Sequence, residues 1–136
     1  EERSAASRAT APSGTETILL VEDNPKVLAS VVAVLAQFGY NVLPVQNGLE
    51  ALDVLAQNDK RVDLVLSDMV MPEMGGLELQ QSVKLRYPDL PLLLMTGYPL
   101  GEQDPGLTGA AWIMKPFDSS ELGRKIRALL DVSPAA

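Results

Sequence analysis

Short runs of apolar residues alternate with longer stretches in which apolar residues recur every three or four positions, and this rhythm repeats along most of the chain. Thr17 to Val21 is the first run, β-rich and apolar. Asn24-Pro25 follows as a helix cap and first helical position. Val27, Leu28, Val31, Leu35 and Phe38 then recur at helical spacing until Gly39 stops the helix. Tyr40 to Val45 predicts a second strand, and Asn47 with Glu50 three positions on reads as a capping box opening a helix through Leu52 and Leu55. Val62 to Ser67 predicts the third strand, Gly76 to Tyr87 a third helix ended before Pro88, and Leu90 to Met95 the fourth strand. Ala111 to Met114 is a short fifth strand, and Asp118-Ser119-Ser120-Glu121 caps a last helix through Leu122, Ile126 and Leu129.

Strand followed by helix, five times over, predicts an α/β fold. Parallel strands need crossover helices, so the sheet is parallel and covered on both faces. The stretch between the fourth and fifth strands is weaker. Tyr98 to Gly109 holds Pro99 and Pro105 with Gly101, Gly106 and Gly109; a proline inside a helix costs about 3 kcal/mol and a glycine about 1. A short or irregular fourth helix is the most this segment supports. Residues 1–16, with the cluster Pro12-Ser13-Gly14, show no apolar period and read as a flexible linker or tail. Residues 17–131 form one domain, and 132–136 a fraying C-terminal tail. No internal repeat is visible.

A chain of 136 residues suits one core. No apolar stretch approaches the roughly 18 to 20 residues that span a bilayer, and the acidic N-terminus has no signal-peptide core. The absence of cysteine excludes disulfide and thiol chemistry and allows a reducing compartment; a cytoplasmic location without membrane contact is expected. A net charge of −7 argues against nucleic acid as a direct partner of this segment. The absence of histidine changes the picture most, because it removes Ser-His-Asp, Cys-His and His-metal schemes together. Carboxylates, hydroxyls, Lys or Arg and a hard cation are what remain.

Candidate chemistry lies at the strand ends. Asp68 closes the third apolar run and breaks into Met69-Val70-Met71-Pro72 and Gly75-Gly76, which puts a carboxylate at the carboxyl rim of the sheet, where α/β proteins do chemistry. Glu22 and Asp23 end the first strand, Thr96 the fourth, and Lys115 the fifth. In the strand order 2-1-3-4-5 of flavodoxin-like sheets the first and third strands are neighbours. Two like charges 4 Å apart cost about 4 kcal/mol at an effective dielectric near 20, so three ionised carboxylates there call for a cation. All-oxygen ligands favour Mg²⁺. With Mg²⁺ and an ammonium beside it, Asp68 becomes a plausible nucleophile toward phosphorus.

Four segments, Leu19-Leu20-Val21-Glu22-Asp23-Asn24, Ser67 through Gly76, Met95-Thr96-Gly97 and Met114-Lys115-Pro116-Phe117, together closely resemble the receiver domains of two-component response regulators over about residues 17 to 131. Each motif alone is weak; four in order are specific. The resemblance implies the flavodoxin-like (βα)5 sandwich with sheet order 2-1-3-4-5. It implies that Asp68 is the phosphoacceptor and that Glu22, Asp23 and Asp68, with the main-chain carbonyl of Val70, hold Mg²⁺ or Mn²⁺. Thr96 would be the switch hydroxyl and Lys115 the lysine that pairs with the phosphoryl group. Val70 and Tyr98 match the positions that tune hydrolysis. Neither is an acid or base, so slow self-dephosphorylation is expected.

Two features depart from the family pattern. Trp112 stands three residues before Lys115, where Tyr or Phe usually switches rotamer, and the spacing from Thr96 to Lys115 is a little short. The face built from the fourth helix and fifth strand, which many members use to dimerise or signal, is therefore open, and with it a weak dimer. The donor phosphohistidine must come from a histidine kinase or histidine phosphotransfer domain, in cis or in trans. The flexible leader and the end just after the last helix resemble a receiver at the C-terminus of a hybrid sensor histidine kinase; a single-domain regulator or an excised N-terminal receiver are the other placements. Activity would be limited to self-catalysed phosphotransfer and dephosphorylation. A pseudo-receiver acting as a phosphorylation-independent interaction module is the alternative. An Asp-nucleophile phosphatase would want a second acid where Val70 stands, and a nucleotide binder would want a phosphate-cradling loop where Glu22-Asp23-Asn24-Pro25 stands.

Overall fold

The computed structural model describes residues 14–58, 61–71, 74–97 and 111–131. Five strands, β1 (Thr17–Val21), β2 (Asn41–Val45), β3 (Leu64–Asp68), β4 (Leu92–Thr96) and β5 (Ala111–Met114), form one parallel sheet in the order β2-β1-β3-β4-β5. Four helices lie among the described residues: α1 (Pro25–Gln37), α2 (Gly48–Asn58), α3 (Gly76–Arg86) and α4 (Ser119–Leu130). This is the parallel α/β sheet expected from the strand–helix rhythm, in the flavodoxin-like order that the resemblance implies. The segment expected to hold a short or irregular fourth helix lies outside the described residues.

The central strands β1, β3 and β4 are buried on both faces because they are apolar at nearly every position rather than at alternate ones. Successive side chains point to opposite faces, and two cores result. Leu19, Val21, Val65, Leu92 and Leu94 pack with Ala51 and Leu55 of α2 and Leu79 and Val83 of α3. Ile18, Leu20, Leu64, Leu66, Leu93 and Met95 pack with Val31 and Leu35 of α1 and Leu122 and Ile126 of α4. Both cores end at the carboxyl rim, so the strand ends there sit on a rigid platform.

Local signals set the helix starts. Asn24 accepts from the N–H groups of Lys26 and Val27 at 2.9 and 3.2 Å, with Pro25 in the first turn. Gly39, at φ +96°, ends α1 in a conformation that favours glycine. Asp118 accepts from Glu121 N–H at 2.7 Å. At α2, Asn47 accepts from Glu50 N–H at 2.9 Å, but the Glu50 carboxylate reaches past Asn47 to the N–H of Gln46. The expected box thus closes one residue early.

Three strands begin later than their runs suggest: β2 by one residue, at Asn41, and β3 and β4 by two. Val62 is buried but precedes the β3 ladder, and Leu90 lies in the turn after α3, its N–H donating to Tyr87 O. Gly14 to Glu16, read from sequence as tail, are fastened to the fold. Gly14 N–H donates to Phe38 O, and Asn41 N–H to Glu16 O. The Glu16 carboxylate takes a two-pronged grip from Arg127 of α4, at 3.1 and 2.6 Å. Residues 1–13 and 132–136, expected as tails, lie outside the described residues. No helix among the described residues is long and apolar enough to cross a membrane.

Candidate functional site

Four chain segments deliver side chains to the carboxyl rim. β1 and β3 pair in register from Ile18↔Leu64 to Val21↔Ser67, which sets Glu22 and Asp23 beside Asp68. One carboxylate oxygen from each of Glu22, Asp23 and Asp68 lies within 4.8 Å of the others. From the far side of β4, Lys115 reaches across. Its main chain is anchored by a 2.6 Å hydrogen bond from its N–H to Thr96 O, and its ammonium lies 2.9 Å from Asp68 Oδ1 and 3.6 Å from Glu22 Oε1. Thr96 itself is buried at the end of β4.

The three acids differ in their surroundings. Asp23 is exposed, Asp68 half-buried, and Glu22 only 1% exposed. Glu22 Oε2 accepts from Asn24 N–H at 3.1 Å, whereas Oε1 has no hydrogen-bond partner; Lys115 is an ion-pair neighbour too far away for a bond. Burial pushes the Glu22 carboxyl above its ordinary range. The Asn24 N–H opposes this, and the neighbouring Asp68 and Asp23 charges add to it while Lys115 pulls the other way. For Lys115, burial alone would lower the pKa, but the hydrogen bond and charge of Asp68, with the charge of Glu22, outweigh it and hold the ammonium firmly protonated.

This donor set fits a hard divalent cation. The ligand atoms are all oxygen and sit within one ion's reach. A buried carboxylate oxygen without a partner normally costs about 1–3 kcal/mol, more when charged, and Glu22 Oε1 is such an atom facing the cluster.

Of the other residues singled out from sequence, Val70 follows β3 by two positions with its side chain 71% exposed. Trp112 is half-buried on β5, paired in register with Leu94 and packed against the core shared with α2 and α3. Tyr98 lies outside the described residues. Met69, Met71 and Met74 pack against the same core, Met95 is fully buried, and Met114 is largely exposed. Sequence reasoning took Asn24 for a helix cap only and missed its main-chain hold on Glu22, for which the residue type gives no signal. It also missed how closely α3 is seated. A Cβ on Gly76 would stand 2.5 Å from Asp68 O and 2.8 Å from Met69 Cα, so only glycine lets the helix start there.

Comparison with known proteins points to one family. The model of the family described as "Response regulator receiver domain" matches residues 18–127. Among curated relatives, the chain is 33% identical over 127 residues to Sensor kinase CckA of Brucella abortus (strain 2308), covering 91% of this chain and 13% of that protein. It is 39% identical over 116 residues to Response regulator MprA of Mycobacterium sp. (strain KMS), covering 83% of this chain and 50% of that one. The chain thus spans half or less of the length of these relatives. The response regulator TrrA from Thermotoga maritima, solved in complex with Mg²⁺ and BeF, superposes with TM-score 0.78 at 29% identity, over 85% of this chain and 99% of that one. The receiver domain from the hybrid histidine kinase CckA superposes with TM-score 0.69 at 31% identity, again over 85% and 99%. With the family's sequence model over most of its length and receiver-domain structures superposing on its fold, this chain belongs to the response regulator receiver domains.

Proposed function

We propose that this chain is a phospho-accepting receiver module in which Asp68 takes a phosphoryl group from a phosphohistidine. The observation that carries the reading is the pairing of Asp68 with Lys115 at 2.9 Å inside a three-carboxylate cluster whose most buried member, Glu22, keeps an unpartnered oxygen. In the step, an Asp68 carboxylate oxygen attacks phosphorus and a P–O bond forms. The P–N bond breaks, its electron pair goes to the donor imidazole, and that nitrogen takes its proton from solvent. The donor lies in a histidine kinase or phosphotransfer domain, in cis or in trans, since the sequence of this domain has no histidine.

Glu22, Asp23 and Asp68, with the Val70 carbonyl, would hold Mg²⁺ or Mn²⁺, which supplies charge neutralisation for the transferring oxygens. Lys115 starts on Asp68 Oδ1 and is placed to follow the new negative charge onto the phosphoryl group. The Thr96 hydroxyl, on the adjacent strand end, hydrogen-bonds a second phosphoryl oxygen. Trp112, three residues upstream of Lys115, stands where a ring would report the change. Val70 and Tyr98 supply no acid or base to activate water, so the phosphoryl group is long-lived. The likeness to Sensor kinase CckA and to the hybrid-kinase receiver supports a place within a hybrid kinase in the cytoplasm, with residues 17–131 as the working domain.

The test is incubation with Mg²⁺ and acetyl phosphate, read by intact mass. One added phosphoryl group is expected on the wild type and none on Asp68→Asn, with turnover slower than seconds. No addition to the wild type would return the chain to a phosphorylation-independent interaction module.

A further inference from the structure

Asn24 lies beside the carboxylate cluster, and its two polar halves do different work. The side-chain Oδ1 accepts from the N–H groups of Lys26 and Val27, closing the first turn of α1. That closure holds Asn24 in extended backbone, at φ −83° and ψ 116°. Its own N–H then points back along the chain and donates to Glu22 Oε2 at 3.1 Å. The Glu22 main chain is pinned in turn, its N–H donating to Val45 O at 3.0 Å. With the backbone held on one side and Oε2 on the other, the remaining oxygen has little freedom. It is Oε1, almost wholly buried, 3.6 Å from the Lys115 ammonium and without a hydrogen bond.

We infer that Asn24 is a positioning residue for the divalent cation: by capping α1 it fixes the main-chain N–H that turns Glu22 Oε1 into the carboxylate cluster. The inference rests on the proposed metal-holding role of that cluster and deepens it. Asn24 does not touch the ion. It acts through Glu22, as partners of metal ligands do when they set a ligand's orientation and restrict its motion. The same short side chain therefore serves helix α1 and the site at once.

Mn²⁺ is the probe, and loss of the free-ion electron paramagnetic resonance signal gives its Kd directly, without any phosphoryl transfer. Loss of such an orienting partner typically weakens metal affinity about 10–100-fold, so Asn24→Ala is expected to raise the Mn²⁺ Kd about tenfold. Asn24→Ser, which also caps helices, is expected to restore most of it. Asn24→Gly removes the accepting side chain at little cost to helix stability; it is expected to behave like Asn24→Ala and serves if that variant melts early. The decisive comparison repeats the change in Glu22→Gln protein, where Asn24→Ala is expected to alter the Kd by less than about twofold, because the ligand it orients is already gone. Equal weakening in both backgrounds, or an unchanged Kd in folded Asn24→Ala and Asn24→Gly protein, overturns the inference while leaving the metal site standing. If wild-type protein binds no Mn²⁺ at all, the metal site and the inference fall together.

Discussion

The two ends of the sheet carry similar charged groups in opposite states of balance. At the amino end, Arg127 meets Glu16 through two hydrogen bonds and Asp131 at 2.8 to 3.0 Å, while the nearby Asp63 carboxylate accepts from Thr17 N–H at 2.8 Å. At the carboxyl end, three carboxylates cluster, the Lys115 ammonium pairs with two of them, Asp68 and Glu22, and a buried oxygen of Glu22 is left without a hydrogen bond. The first arrangement fastens the fold. The second is costly as it stands, and a protein keeps such an arrangement where binding uses it. Charge content alone does not separate a clasp from a site; both carboxylate oxygens of Glu16 are bonded by Arg127, whereas the buried Glu22 carboxylate keeps one oxygen without a hydrogen bond.

The largest effect should come from adding Mg²⁺. At a hundredfold excess of Mg²⁺ over its Kd, a ligand that binds only the folded state stabilises it by about 2.7 kcal/mol. Thermal melts with Mg²⁺ and with chelator should show that gain in wild-type protein and little of it in Glu22→Gln. Equal gains in both would put the ion elsewhere.

Next in size is the same substitution without metal. Glu22→Gln should stabilise chelator-treated protein by about 1–2 kcal/mol, because it removes a charge from a buried atom without a partner. The pH dependence has a definite sign. Folding raises the Glu22 pKa above its ordinary value of 4.5. The group's favourable contribution is therefore complete below that value and lost as pH rises through the folded pKa. The advantage of Glu22→Gln should accordingly grow toward neutral pH and shrink in acid, as urea melts across that range would show.

At the opposite end the expectation reverses. Arg127→Ala should cost about 1 kcal/mol, since a bidentate pair at partly exposed groups is worth little more. It should leave Mn²⁺ affinity unchanged within twofold. A large change in affinity would mean the two ends are coupled.

Smallest is the pH signature of Glu16, whose carboxyl is held below its usual 4.5 by the Arg127 hydrogen bonds against a modest burial cost. Its contribution is present above that value and fades as pH falls through the folded pKa. Wild type and Arg127→Ala should therefore converge in stability in acid.

These two ends were unequally legible in the sequence. The carboxyl end was readable because each of its groups terminates an apolar run, and a parallel sheet brings such ends together whatever their separation: Asp68 and Lys115 are 47 residues apart. The amino-end clasp joins Glu16 to Arg127 across 111 residues, and neither residue closes a run or belongs to a motif. Glu16 looked like the last residue of a polar tail because composition does not show a hydrogen bond to a distant guanidinium. Strand limits slipped for a related reason: Val62 and Leu90 are apolar because they are packed, but pairing begins only where a neighbour's backbone runs alongside. The hold of Asn24 on Glu22 was invisible because it is made by a main-chain N–H, which every residue but proline carries.

The clasp also determines where the chain goes in and out. Glu16 stands one residue before β1 and Arg127 three residues before the end of α4, yet their side chains meet at 2.6 Å. The polypeptide thus arrives at and departs from the folded unit at nearly the same spot, and that spot lies across the full depth of the sheet from Asp68. A host protein could carry such a unit like a lamp on a single bracket. Its acidic rim would then stand at the end of the sheet away from the attachment.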